Sequence, residues 1–315
     1  MKRREAIVAS AAMLAAPAIA IAQTAAPTTD ALRIGLIPAE ISAEIFYGID
    51  EGFFSRNGLT VDFQAFTNGN SIAAGLASGA LDIGLSDVVS ILSAHARGLP
   101  FGYIAPGLLH GERAPTYGII VAGDSPIHEA KDFNGKTFGV NGLKNIVQIA
   151  VEAWIDNNGG DSTSVRFVEM PIPVMAAAVA RGEVQAAGPN EPALTLAEQG
   201  GARVILMDKN AIAPVYMLSG WVTTSDWATA HPSVVQKFAR SIREIATWAN
   251  RNQPTSGPIL AKYTKIPLPV IEHMHRGNFA LRFDNAQIQP MIEAAVKYGA
   301  IPKSFPASEI IFNAA

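Results

Sequence analysis

Residues 70–98 read NSIAAGLASGALDIGLSDVVSILSAHARG, and this stretch decides the fold. Small and apolar side chains recur at helical spacing over 70–78, and Gly79 follows as a residue suited to the positive φ that closes a helix. Leu81-Asp82-Ile83-Gly84-Leu85 then reads as a short strand. Residues 88–97 return to helical spacing and end at a second glycine, Gly98. Helix, strand and helix at such short spacing indicate βαβ units and a largely parallel sheet.

The same alternation extends both ways. Upstream, 32–37 reads as a strand stopped by Pro38, and 43–54 as one helix carrying Ile45, Phe46, Ile49 and Phe53, followed by Asn57-Gly58. The strand predicted over 59–66 sets Val61, Phe63 and Ala65 on one face. Downstream, 101–105 and 117–122 are two further strands. The pattern then restarts at Asp132-Phe133-Asn134-Gly135-Lys136, with strands over 137–140, 165–170, 184–188 and 202–207 and helices over 145–157, 174–181 and 191–199. After a strand over 218–224 the tail reads almost only as helix, over 232–252, 255–262, 269–275 and 285–298. An all-helical tail needs a sheet to cover, and the first one is the natural choice. The expected division is one discontinuous lobe of 32–122 and 223–315 and a second of 123–222. Crossings near 122–125 and 220–224 would form a hinge beside a ligand cleft.

The beginning of the chain speaks to compartment. Lys2, Arg3 and Arg4 precede an apolar run, 6–22, that Pro17 interrupts and that closes on Ala20-Ile21-Ala22. This is the pattern of a secretory signal peptide over 1–22, cleaved after Ala22 and placing the protein in the periplasm. The Arg3-Arg4 pair leaves Sec and twin-arginine export both open. Removing the segment, with its three basic residues and Glu5, changes the net charge from −3 to −5. That mild acidity argues against a nucleic-acid partner. The chain contains no cysteine, so neither a disulfide framework nor thiolate chemistry is available, and no lipoprotein anchor follows the signal.

Four stretches resemble the periplasmic solute-binding proteins of ABC uptake systems for nitrate, sulfonates and taurine, a group related to the thiamine-pyrimidine-synthase-like proteins. They are Gly48-Ile49-Asp50-Glu51-Gly52-Phe53-Phe54 with Asn57-Gly58-Leu59; Ala74 through Gly84; Asp132 through Val140; and Arg181-Gly182-Glu183-Val184-Gln185-Ala186 with Glu191-Pro192, where Gln185 replaces the family's usual acid. The resemblance spans about residues 32–300. It implies an α/β, two-lobed, type II periplasmic-binding-protein fold of two mostly parallel sheets with flanking helices and two crossover strands. It also implies a monomer that captures a small molecule and delivers it to an inner-membrane ABC permease.

In open α/β sheets, ligands sit beyond the carboxyl ends of the strands, beside helix N-termini that suit anions. The chain offers five such places: 39–42, 68–71, 86–87, 142–145 and 189–191. The candidate ligand contacts are Glu40, Ser42, Asn70, Ser71, Ser86, Asp87, Tyr117, Lys144, Asn145, Asn190 and Glu191, with Tyr117 placed beside His110 and Arg113 at the cleft mouth, just before the first crossing. Ser42, Asn70, Ser86 and Asn190 are equally good helix caps, which need no ligand. Lys144 is the cation that would point into the cleft from a helix start, the alternative being a solvated surface lysine. Should two of Glu40, Glu44, Asp87 and Glu191 face the cleft, a cationic or amine-bearing ligand is favoured over nitrate or a simple sulfonate, though acids also suit helix starts for dipole reasons. The sign of the ligand therefore stays open.

No catalytic constellation, metal site or cofactor motif is expected. His273 and His275, two apart, would face different ways on a helix. No HExxH, P-loop or GxSxG sequence is present. The pyrimidine-synthase branch that the resemblance touches carries a cysteine-rich iron motif, which this chain lacks. A periplasmic sensor subunit would present the same lobes, and sequence does not separate it from a transport subunit.

Overall fold

A computed structural model describes residues 30–67, 69–111, 114–205, 207 and 211–312. The expected signal peptide and cleavage site lie outside these residues. Two five-stranded sheets dominate the architecture. The first runs, edge to edge, Leu59–Ala65, Asp30–Leu36, Ile83–Asp87, Ser219–Thr224 and Phe101–Pro106. The second runs Arg203–Ile205, Ile119–Val121, Ala186–Ala187, Thr137–Val140 and Arg166–Glu169.

Each sheet has four strands pointing one way and one reversed. In the first, Ser219–Thr224 pairs antiparallel with both Ile83–Asp87 and Phe101–Pro106. In the second, Ile119–Val121 pairs antiparallel with both Arg203–Ile205 and Ala186–Ala187. The reversed strand is in each case the one arriving from the other sheet. This places Ile119–Val121, expected ahead of the first crossing, within the second sheet, and the whole of Ser219–Thr224 within the first. The chain passes between sheets over residues 107–118 and 212–218. These segments pair with each other, Leu108–Gly111 running antiparallel to Val215–Met217, and Asn278–Phe279 adds a third strand. This small sheet is the main element that sequence reading missed: its strands are only two to four residues long, too short to show alternation.

Gly79, Gly98 and Gly182 take positive φ at helix ends, as expected. The helix expected over 43–54 is instead two, Ala43–Asp50 and Phe53–Arg56, because Gly52 lies at φ +70° between them. The tail covers the first sheet as expected. Its longest helix, Pro232–Arg251, packs on Ala43–Asp50 and on the strand Phe101–Pro106. Its apolar stripe of Val234, Val235, Phe238, Ile242, Ile245 and Ala249 is buried. No described helix is long and apolar enough to cross a membrane.

Trp221, on the reversed strand of the first sheet, is completely buried and meets Phe238 edge-on at 6.0 Å. Its indole Nε1 donates to Glu44 Oε2 at 2.8 Å, while Glu44 Oε1 is buried without a partner. Burial pushes the Glu44 carboxyl up to about 8, and the indole bond only partly opposes this. The folded protein thus holds a proton that the unfolded chain releases near pH 4.5. Its contribution to stability is complete below pH 4.5 and is lost as pH rises through about 8. Glu44→Gln, which keeps an acceptor for Trp221, should flatten the stability profile between pH 5 and 8. Urea unfolding across that range should show the wild type losing stability relative to the variant by up to about 1.4 kcal/mol per pH unit.

Candidate functional site

The carboxyl ends of strands from both sheets converge on one narrow cavity of about 80 Å³. One water needs about 10–15 Å³ by this measure, so the space suits a small solute. From the first sheet's side come Ile37 and Ile41, Gly69 and Asn70, Ser86, Asp87 and Ser90, and Leu218. From the second come Asn141, Asn145, Ile146, Gly188 and Asn190. Tyr117, on the crossing segment, closes the back and bridges to Asn190.

Asp87 is the pivot of this cavity. It ends the strand Ile83–Asp87 and caps the helix Val88–Ala96, accepting from Ser90 N at 3.0 Å and Ser90 Oγ at 2.5 Å. Its Oδ1 also accepts from Ile146 N at 3.3 Å, across the cleft at the start of the helix Ile146–Asn157. One carboxylate thus joins the N-termini of two helices, one from each side. Burial pushes its pKa up, against the pull of these donors. On the facing helix, Asn145 is the cap, accepting from Gln148 N at 3.1 Å and donating to Asn141 Oδ1 at 2.8 Å.

Behind Tyr117 lies a buried aromatic stack. The Tyr117 and Tyr216 hydroxyls are hydrogen-bonded, and the His110 ring lies 4.0 Å from the Tyr117 ring and 5.2 Å from that of Tyr216. Burial drives the His110 pKa down to about 3, so the imidazole is neutral. His110 therefore supports the cavity from behind, whereas the sequence put it at the cleft mouth. Arg113 and Asn68 lie outside the described residues.

Of the eleven contacts expected from sequence, Asn70, Ser86, Asp87, Tyr117, Asn145 and Asn190 line the cavity. The other five are turned to other partners. Glu40 accepts from Arg276 Nε at 3.1 Å and Gly277 N at 2.9 Å; Arg276 also donates to Ser256 Oγ at 2.9 Å. Burial raises the Glu40 pKa, opposed chiefly by that guanidinium. Ser42 donates to Ile37 O at 2.5 Å instead of capping a helix. Glu191 is buried and accepts from Thr195 N, Thr195 Oγ1 and His275 N at 3.1, 3.0 and 3.2 Å. Lys144 turns away from the cavity, its Nζ donating to Tyr298 O at 2.8 Å and Glu152 Oε1 at 3.2 Å. Ser71 lies exposed on the first turn of the helix Gly69–Ala77. Sequence reading missed Ser90 and Asn141. Asn141 directly follows the strand Thr137–Val140, and Ser90 lies one helical turn beyond Asp87, so position alone could have found both.

Residues 41–255 match the family model described as NMT1/THI5 like. The chain belongs to this family. It is 27% identical over 272 residues to the taurine-binding periplasmic protein of Escherichia coli, covering 82% of this chain and 80% of that one. Among solved structures it is similar to the alkanesulfonate-binding protein of Xanthomonas axonopodis pv. citri, solved bound to MOPS, with a TM-score of 0.74 at 19% identity over 90% of this chain and 98% of the other. It is also similar to the periplasmic nitrate-binding protein of Synechocystis PCC 6803, with a TM-score of 0.70 at 15% identity over 88% and 83%. At such identities the structural likeness establishes the two-lobed fold.

The partners of Glu40 make it a structural residue. Glu40→Ala would leave the mostly buried Arg276 guanidinium without its counter-charge, and should cost about 3–5 kcal/mol in urea unfolding. Solute affinity, measured where the variant stays folded, should not change.

Proposed function

We propose that this chain is the extracytoplasmic solute-binding subunit of an ABC uptake transporter. It holds a small organic acid of the sulfonate, taurine or aromatic-carboxylate kind, or nitrate, between two lobes in the periplasm, and as a monomer delivers it to an inner-membrane permease. The lobes are drawn from the sheets: residues near 30–107 and 219–312 form one, and residues near 119–205 the other. The observation that carries this reading is a small cavity at the strand ends of both sheets, walled by residues of each and backed by the two crossing segments. A solute touching both walls binds the closed form better than the open one and so shifts the population toward closure. The periplasmic taurine-binding relative, alike over most of both chains, supports binding over catalysis and supports the compartment.

The test is a thermal-shift and calorimetric screen of the chain from Gln23 onward against taurine, alkanesulfonates, nitrate and aromatic carboxylates. A true solute at about 1,000 times its dissociation constant should add about 4 kcal/mol, equivalent to roughly 8 °C or more in Tm. Small-angle scattering should show the protein contracting with that solute. Binding without contraction would sink the closure mechanism, and turnover of the solute would replace the transport reading with an enzymatic one.

A further inference from the structure

The charge in the cavity wall is the opposite of what a simple anion needs. Among the described residues lining the cavity, Asp87 alone carries a formally charged side chain; the other polar ones are serines, asparagines and Tyr117. Lys144, the cation expected to serve an anion, is held by Glu152 and Tyr298 O. The helix start that would receive an anion gives its Ile146 N–H to Asp87. A small anion arriving here would meet a carboxylate already in the place it would take, with no lining cation to offset the repulsion.

Building on the solute-binding reading above, we propose that the ligand carries a positively charged nitrogen, and that Asp87 receives it. The class is a small zwitterion, such as an amino-sulfonate or amino acid-like compound, in preference to a purely anionic sulfonate, carboxylate or nitrate. A carboxylate offers about four acceptor positions. Donors of this chain, Ser90 N, Ser90 Oγ and Ile146 N, take three of them, two on Oδ1 and one on Oδ2. The place left on Oδ2 suits one N–H of an ammonium. The acidic end of the ligand is left to the neutral amides of Asn70, Asn141 and Asn190, which can donate to it without requiring a counter-charge. Asp87 is thus a specificity residue as well as a helix cap, and the two roles are separable, because asparagine caps a helix about as well as aspartate.

The test uses solutes matched in shape and differing in charge, measured by calorimetry: taurine against isethionate, which has a hydroxyl in place of the ammonium, and β-alanine against 3-hydroxypropionate. Each is titrated into the full exported chain and into Asp87→Asn, whose fold is checked by its circular dichroism and Tm. The expected result is binding confined to the ammonium-bearing member of a pair. In Asp87→Asn that member should lose roughly ten- to a hundred-fold in affinity, the range of a hydrogen bond between charged groups, and the preference within the pair should disappear. Equal binding of taurine and isethionate, or an unchanged preference in Asp87→Asn, would overturn this inference and leave the solute-binding reading intact. Silence of every member of the panel with both proteins would count against both.

Discussion

Two crossing strands that must run against the sheets they join constrain everything else in this molecule. Each sheet is assembled from strands of one direction, and each accepts a single reversed strand, Ser219–Thr224 or Ile119–Val121. An antiparallel insertion between parallel strands is possible only if the incoming segment reaches the sheet from its carboxyl end, where the cleft lies. The crossings therefore bring the hinge and the binding cavity to the same place. The short sheet formed by Leu108–Gly111, Val215–Met217 and Asn278–Phe279 holds the two crossings side by side. Tyr117, Tyr216 and His110 fill the space behind, so the back wall of the cavity is also the packing of the hinge.

Much of the fold was legible because period and punctuation carry it. The alternation of short strands and helices, with glycines such as Gly79 and Gly182 at the turns, anticipated both sheets and the covering tail. Where reading failed, the cause is local. Gly52 breaks a helix whose apolar spacing runs on unbroken in the sequence. The strands of the hinge sheet are too short to declare a period, so both crossings lie several residues earlier than the sequence suggests. The helix at Asn285–Lys297 is recognisable by spacing, but its carboxyl end reaching Lys144 across 154 positions is not.

The site was legible by position and illegible by direction. Rules about strand ends and helix starts picked out Asn70, Ser86, Asp87, Asn145 and Asn190, and closeness to the first crossing picked out Tyr117; all six line the cavity. The same rules picked out Glu40, Glu191 and Lys144, which sit at the expected loops but turn to partners far away in sequence: Arg276, His275 and Tyr298. A loop adjacent to the cleft has two sides, and a charged side chain goes to whichever offers a counter-charge or enough hydrogen-bond donors. Since those partners lie 84 to 236 positions away, no local pattern records them.

Among the described residues, the hydrogen bonds that link the two halves around the cleft include three that share a form. Asp87 receives Ile146 N, Glu191 receives His275 N, and Lys144 gives to Tyr298 O. In each, a side chain from one half meets a main-chain atom of the other. A main-chain partner survives replacement of its own side chain, so these contacts do not depend on which side chains stand at 146, 275 and 298. The linkage between the halves is in this way insulated from much of the sequence around it. Pairwise covariation among relatives would then report side-chain packing and stay silent about these main-chain contacts.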